Sequence, residues 1–261
     1  MERPAKFFTT RRWLLRTLGN ELFQIQQLKA GYGEAEILHG IDLEIRNGEF
    51  VAILGANGAG KTTLINSILG TTRIMSGTIS LDGRRIDGSN PDSLVKMGIA
   101  FLLQGKRVFP QLTVEENLKI GGYVLDKQTL NTRTSEMLVM FPFLKERSTT
   151  LAGNLSGGEQ VILSFARARM SAPRLFFVDE PSLGVAPIIT KTILSSLKEE
   201  TRKGQSVLLA EQNVLRALEF ADRVYVMNLG RIVFAGTAEE LKQTPSLSEL
   251  YLGMNLQNNE K

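Results

Sequence analysis

The stretch GANGAGKT has residue types and spacing suited to gripping phosphate, because it fits the pattern GxxxxGK(S/T) without a mismatch. Glycines let backbone N–H groups converge on phosphate oxygens, and a helix start adds partial positive charge. Lys61 would neutralise the β- and γ-phosphates, and the hydroxyl of Thr62 would ligate Mg²⁺. The residues predicted to bind the nucleotide here are Gly55, Ala56, Asn57, Gly58, Ala59, Gly60, Lys61, Thr62 and Thr63.

Two carboxylates follow an apolar run further along the chain, in the stretch LFFVDE. Asp179 is suited to holding the hydration shell of Mg²⁺, and Glu180 is suited to polarising an attacking water. An acidic strand end is weak evidence alone, since many such ends are simply solvated. Downstream of a complete phosphate loop, the pair predicts hydrolysis of a nucleoside triphosphate.

A second phosphate-binding helix start is predicted in NLSGGEQ, residues Asn154–Gln160. Ser156 occupies an N-cap position, Gly157 and Gly158 leave the backbone bare, and Glu159 completes a capping box. Such a helix start can bind phosphate. Because the chain already has its own phosphate loop, we predict that this one serves the nucleotide of another subunit.

The elements that must position these residues alternate between strands and helices. Short half-buried strands are predicted over residues 22–45, and a hairpin is predicted at Asp82–Gly83. Helices are predicted for KTTLINSIL, from Thr113, over 129–140, from Ser156, over 187–201 and over 212–220. The predicted buried strands are EFVAIL, GIAFLL, RLFFVDE, SVLLAEQ and RVYVMN. This alternation predicts an α/β fold with a mostly parallel sheet.

Charge and composition exclude several functions. The net charge of +4 is carried entirely by residues 1–20, and the rest of the chain has equal numbers of basic and acidic side chains. A neutral body argues against binding nucleic acid. The chain has no cysteine, which excludes disulfides and thiolate metal sites. We do not expect Arg11 and Arg12 to form an export signal, because Asn20, Glu21 and Gln24 interrupt the apolar region that such a signal needs. We expect a flexible basic extension over residues 1–21, with contact to a membrane surface as the alternative.

With the motifs in this order, the sequence resembles the ATP-binding cassette (ABC) ATPases from about Leu22 to Gly253. The resemblance implies a P-loop NTPase core with an N-terminal antiparallel β region. It further implies that two cassettes close head to tail, each ATP lying between one phosphate loop and the other cassette's signature. Tyr32 would stack on adenine, and Gln104 would sense Mg²⁺ and the transmembrane partner. Asp179 and Glu180 match the acidic pair that completes the family's site.

The same resemblance sets the expected domains. An ATPase domain would span residues 22–253 and contain an inserted helical subdomain at about 104–169, and residues 254–261 would form a tail.

Two positions depart from the common family pattern. Gln212 stands where a switch histidine is usual, and Ala186 stands where an aspartate is usual. Gln212 can hydrogen-bond a γ-phosphate oxygen but cannot carry positive charge near neutral pH. We therefore expect a slower or more partner-dependent ATP site. His39, the only histidine, is expected to be structural.

Longer stretches, among them GKRVFPQLTVEENLKIGGY and DEPSLGVAPII, resemble the smaller ATP-binding subunit of branched-chain amino acid importers. That resemblance implies ATP and Mg²⁺ as ligands and a peripheral location on the cytoplasmic face of the cell membrane. The implied partners are a second, different cassette, two transmembrane permeases and, indirectly, an extracytoplasmic substrate-binding protein. Import of urea or short amides and export of lipopolysaccharide stay open as alternatives. So do a soluble ABC machine of DNA repair or translation and a non-hydrolysing ATP switch.

Overall fold

The computed structural model describes residues 21–105 and 108–244. These residues form two compact units. The first unit holds the described residues up to Gly88 and those from Leu208 onward, and the second holds Ser89–Val207. Most of the predicted N-terminal extension and all of the predicted C-terminal tail lie outside the described residues.

The chain passes through strands and helices in alternation. In order, they are β1 (Glu21–Tyr32), β2 (Ala35–Arg46), β3 (Phe50–Leu54), α1 (Lys61–Leu69), β4 (Arg73–Leu81), β5 (Arg84–Arg85), α2 (Pro91–Lys96), β6 (Ile99–Leu102), α3 (Val114–Gly121), α4 (Lys127–Met140), α5 (Pro142–Glu146), a 3₁₀ turn (Ala152–Asn154), α6 (Gly157–Arg169), β7 (Leu175–Asp179), α7 (Pro187–Arg202), β8 (Ser206–Glu211), α8 (Val214–Leu218), β9 (Arg223–Asn228), β10 (Arg231–Gly236) and α9 (Ala238–Lys242).

The first unit contains an antiparallel sheet in the order β2-β1-β4-β5. β1 and β2 are each 12 residues long, so the prediction of short strands was wrong. The pairing of β1 shifts register between Ile25 and Leu28, and Gln27 there has φ 46°. A bulge adds a residue and breaks the alternation of apolar and polar side chains without ending the strand. The predicted hairpin at Asp82–Gly83 is confirmed, because β4 pairs with β5 around it.

The first unit also holds neighbouring strands in the order β10-β9-β3-β8. β3 runs parallel to β9, and β10 is antiparallel to β9. Every residue of β3 is buried, as expected for a parallel strand covered on both faces. Full burial of each large apolar side chain contributes about 1.5–3 kcal/mol.

A buried ion-pair cluster joins β9 to the antiparallel sheet within the first unit. The Arg223 guanidinium lies 2.7 Å from a Glu44 oxygen and 2.8 Å from a Glu49 oxygen. It also stands over the ring of Tyr225, 5.5 Å from its centroid. The Tyr225 hydroxyl accepts a hydrogen bond from the Glu44 N–H at 3.2 Å. Each buried charge is therefore paired, as burial requires.

The second unit is built on the parallel pair β6–β7 and on helices. Phe101 of β6 stacks on Phe177 of β7 with centroids 5.3 Å apart. α3 and α6 begin at capping boxes, at the residues the sequence predicts. α4 begins at the Asp126 cap, slightly earlier than predicted, because that carboxylate accepts the N–H groups of Gln128 and Thr129. In the part of the chain that the structure describes, no helix combines the length and apolar character needed to cross a bilayer.

Candidate active site

The predicted phosphate loop of the first unit connects β3 to α1. Gly60, the N-cap of α1, has φ 107°, which an L-residue rarely adopts. A Cβ on Gly55 would lie 2.5 Å from the carbonyl oxygen of Met227, so glycine is needed there for close packing. Ala56, Asn57 and Gly58 are exposed, and they present the loop to solvent. The local structure is therefore the strand, glycine-rich loop and helix that the sequence predicts.

Lys61 is buried within this loop, with only 3% of its surface exposed. Its Nζ donates hydrogen bonds to the carbonyl oxygens of Gly55 at 2.8 Å and Ala56 at 3.2 Å. These bonds hold the ammonium group against the loop, so positive charge is pre-positioned where phosphate is expected. Thr62 is exposed on the first turn of α1, whereas Thr63 is buried.

A turn between β9 and β10 packs against the phosphate loop. The Gly230 N–H donates to the Ala59 carbonyl at 2.9 Å, and the Gly230 carbonyl accepts the His39 N–H at 2.9 Å. Leu229 and Gly230 have φ 45° and 70°, as a two-residue type I′ turn requires. This contact between the turn and the phosphate loop was not predicted from the sequence, although Leu229 and Gly230 lie between the apolar runs of β9 and β10. His39 contacts this turn through its backbone N–H, and its ring Nδ1 is hydrogen-bonded to a Glu36 carboxylate oxygen at 2.8 Å.

Two other predicted site residues lie in the first unit. Tyr32 is 48% exposed, and its hydroxyl accepts a hydrogen bond from Asn66 of α1 at 3.0 Å. The ring is thereby linked to the helix that follows the phosphate loop. Gln212 is exposed just after β8, where its N–H and that of Asn213 both donate to a Glu211 oxygen, at 3.0 and 2.9 Å. The buried Glu211 carboxylate thus shapes the turn that presents Gln212.

The second unit brings Gln104 and Glu180 together. The Gln104 amide donates to a Glu180 carboxylate oxygen at 3.5 Å. Asp179 is buried at the end of β7, and Glu180 follows with φ 42°. A non-glycine residue in this region costs about 1 kcal/mol or more and often marks a functional site. The strain sets the direction in which the Glu180 side chain leaves the strand.

The predicted signature turn begins α6 in the second unit. Ser156 is exposed, its hydroxyl accepts the Glu159 N–H at 3.4 Å, and Glu159 accepts the Ser156 N–H at 2.7 Å. Arg147 lies 3.6 Å from the other oxygen of Glu159. The Ser156 hydrogen bonds, and then the charge of Arg147, lower the pKa of Glu159. Gly157 is the first residue of the helix.

Small residues at the signature turn and before α7 allow close approach. A Cβ on Gly158 would lie 3.2 Å from a side-chain carbon of Ile189 in α7. Ala186 is the N-cap of α7 and makes no side-chain capping bond. Alanine has no side-chain acceptor for the first N–H groups of the helix, so this helix start lacks a side-chain cap.

Oxygen donors for a divalent cation are present, but they do not form an all-protein cage. Among residues 21–105 and 108–244, no group of three or more His, Cys, Asp and Glu side chains is placed to hold a metal. Thr62, Gln104 and Asp179 offer a hydroxyl, an amide and a carboxylate. Mg²⁺ is commonly bound by one or two protein carboxylates together with water and substrate phosphates, so each of these donors is of a type that Mg²⁺ accepts.

Comparison with known proteins identifies the family. Residues 38–183 match the family model for ABC transporters. The chain belongs to this family. The cassette is 41% identical to BraG of Pseudomonas aeruginosa, a high-affinity branched-chain amino acid transport ATP-binding protein, over 89% of this chain and 100% of BraG. It is 39% identical to LivF of Archaeoglobus fulgidus, named as a probable branched-chain amino acid transport ATP-binding protein, over 87% of this chain and 97% of LivF.

A solved ATP-binding subunit of an ABC transporter superposes on the cassette with a TM-score of 0.79 at 27% identity, covering 89% of this chain and 98% of that one. The predicted α/β fold and the predicted family are therefore confirmed. This protein is an ATP-binding ABC ATPase whose hydrolysis of ATP is coupled to transport, as in its family.

Proposed function

We propose that this cassette energises the import of branched-chain amino acids from the cytoplasmic face of the cell membrane. The observation that carries the proposal is its similarity, over nearly the whole chain, to two proteins named for branched-chain amino acid transport. Cargo passes through partner permeases, so the cassette contributes the energy and its partners choose the solute.

The phosphate loop begins the reaction by binding ATP. Lys61 exchanges its bonds to the Gly55 and Ala56 carbonyls for bonds to the β- and γ-phosphate oxygens, and the loop N–H groups bind the same phosphates. Tyr32 stacks on the adenine ring. The β9–β10 turn holds Ala59 in place, so the loop reorganises little when ATP binds.

The signature turn completes the site of a second cassette. The Ser156 hydroxyl is exposed, and the first N–H groups of a helix have no intrahelical partner. We propose that Ser156, Gly157 and Gly158 bind the γ-phosphate of ATP held by the partner, while Glu159 keeps the helix start in shape. The partner in this proposal is a related but different cassette, as the resemblance to branched-chain amino acid importers implies.

Hydrolysis depends on residues at strand ends and turns. Glu180 accepts a proton from the attacking water, Gln104 orients that carboxylate, and Gln212 hydrogen-bonds a γ-phosphate oxygen. We propose Thr62, Gln104 and Asp179 as the residues that hold Mg²⁺. When bound, the cation neutralises charge that develops on the phosphates. Loss of the γ-phosphate then removes the bonds that join the two cassettes.

The loop after Gln104 supplies the contact to a permease in this proposal. Phe109 is 45% exposed, and the Arg167 guanidinium lies 4.9 Å from the centroid of its ring. Ile120 and Tyr123 of the following segment are also exposed, at 41% and 53%. Exposed aromatic and apolar side chains backed by a cation suit a helical segment at the membrane surface.

Reconstitution of the complete transporter tests the proposal. The complex with both cassettes, two permeases and the binding protein should take up leucine, isoleucine and valine with ATP, and Lys61→Ala should abolish uptake. Glu180→Gln should bind ATP and hold the two cassettes together without multiple turnover. Uptake of urea or acetamide alone would refute the cargo. ATP enclosed by a single cassette, with no association between two, would refute the shared site.

A further inference from the structure

Two loops of the second unit are joined directly by backbone hydrogen bonds. We name residues 109–112 the permease-facing loop, following the proposed function, and residues 152–155 the pre-signature turn. The Ala152 N–H donates to the Leu112 carbonyl at 2.8 Å, and the Gly153 N–H donates to the Pro110 carbonyl at 3.0 Å. A Cβ on Gly153 would lie 3.1 Å from that Pro110 oxygen, so the close approach favours glycine.

A buried amide side chain is hydrogen-bonded to the backbone of the permease-facing loop. Asn117 of α3 is fully buried. Its oxygen accepts the Phe109 N–H at 2.8 Å, and its nitrogen lies 3.0, 3.3 and 2.9 Å from the carbonyl oxygens of Phe109, Leu112 and Thr113. Only an amide side chain supplies both an acceptor and two donors at one place. Asn117 therefore fixes the shape of the loop that exposes Phe109.

A second amide side chain is hydrogen-bonded to the backbone of the pre-signature turn. The Gln160 side-chain nitrogen lies 3.2, 3.4 and 3.0 Å from the carbonyl oxygens of Ala152, Gly153 and Leu155. The Gln160 N–H meanwhile donates to the Ser156 carbonyl at 2.9 Å, at the first turn of α6. One residue thus bonds both the turn before the signature and the signature helix itself.

We propose that Asn117 and Gln160 are positioning residues that make these two loops one mechanical link. The link, which we name the amide strap, runs from Phe109 through the two backbone hydrogen bonds to Ser156. Displacement of the permease-facing loop moves the pre-signature turn, and with it the Ser156 hydroxyl, because neither loop can shift without breaking bonds to the other. The idea that the displacement comes from a permease rests on the proposed function, whereas the link itself does not.

Hydrogen exchange on the isolated full-length chain tests the link without any partner. Gln160→Met keeps the length of the side chain and removes its donors. It should speed exchange at least fivefold both in residues 152–155 and in residues 109–112, which Gln160 does not touch. Gln128→Met, at an exposed position on α4, is the matched control and should change neither segment. Faster exchange confined to residues 152–155 would overturn the proposal.

Coupled turnover in the assembled transporter tests the function of the link. The readout is the ratio of ATPase rates with and without the solute-loaded binding protein, normalised to folded protein. Gln160→Met and Asn117→Asp should each lower this ratio at least fivefold, and the double variant should be no worse than the more affected single variant. Asn131→Asp, at an exposed position on α4, should keep the wild-type ratio.

An unchanged ratio, or effects that multiply in the double variant, would contradict the amide strap. If Asn117→Asp does not fold, Gln160→Met and the exchange experiment still decide the matter. A wild-type complex that transports no branched-chain amino acid would refute the proposed cargo instead, and the exchange result would stand independently of it.

Discussion

A buried ion pair between α6 and α7 allows a sharp test of what stabilises the second unit. Arg169 and Glu200 lie 2.6 Å apart, with side chains only 7% and 6% exposed. Lys203 contacts the same Glu200 oxygen at 3.1 Å, but its own side chain is 60% exposed. The pair ties the last turn of the signature helix to the helix that follows the acidic strand end.

The expected cost differs between the two partners. Removing one member of a buried pair costs about 3–5 kcal/mol, because the other charge stays buried. Glu200→Leu leaves the Arg169 guanidinium buried without its carboxylate partner and should cost about 4–5 kcal/mol. Arg169→Met leaves Glu200 with Lys203 and should cost about 3 kcal/mol. The double variant buries two apolar side chains and should lie within about 1 kcal/mol of wild type.

Urea unfolding of the full chain, followed by circular dichroism, measures these four stabilities. The control is the exposed pair of Arg202 and Glu199 on the same helix, whose side chains are 67% and 57% exposed. Glu199→Leu should change stability by about 0.5 kcal/mol at most, and less in high salt. The reasoning is refuted if Glu200→Leu costs no more than Glu199→Leu. It is also refuted if the double variant is as unstable as Glu200→Leu.

Three further predictions concern the first unit. Burial raises the pKa of Tyr225 to about 12 from its ordinary value of 10.0. The stability this adds is complete below pH 10.0 and is lost as pH rises through about 12. Tyr225→Phe should therefore reduce the alkaline fall in the free energy of unfolding, measured by urea titration at each pH, by up to about 2–3 kcal/mol. Leu229, 75% exposed with φ 45°, should gain about 0.5–1 kcal/mol as Asn but not as Ala; equal melting temperatures for both variants would contradict this. Gln212→His should raise ATP turnover of the assembled transporter severalfold, and an unchanged rate would count against the expected effect of Gln212.

Features set by local chemistry could be predicted from the sequence. The capping boxes at Thr113 and Ser156 each involve residues three apart, so the start of each helix can be predicted from four consecutive residues. The phosphate loop is also recognisable locally, since its glycines permit the positive φ angles found at Gly58 and Gly60. The apolar runs of β3 and β7 also identified buried strands correctly, because a strand covered on both faces needs no alternation.

Features set by distant partners could not be predicted. Nothing near Ala59 in the sequence indicates that Gly230 supports it, and nothing near Phe109 indicates its bonds to Asn117. Such contacts depend on which backbone groups the fold leaves without partners. Helices α2, α5 and α9 were missed because each has only five or six residues, and β10 was also missed. The predicted helix over 212–220 is shorter in the structure, where Asn213 caps α8.

The capping box of α6 reconciles two demands that oppose each other at the signature turn. A carboxylate in the first turn stabilises a helix, yet it would repel a phosphate that approaches the same end. Here one oxygen of Glu159 accepts the Ser156 N–H, and the other faces Arg147, so its charge is compensated locally. The exposed Ser156 hydroxyl and the first-turn N–H groups then determine what an incoming anion meets. Such a helix start keeps its shape and still presents donors outward, which is what the proposed sharing of a nucleotide between two cassettes would require.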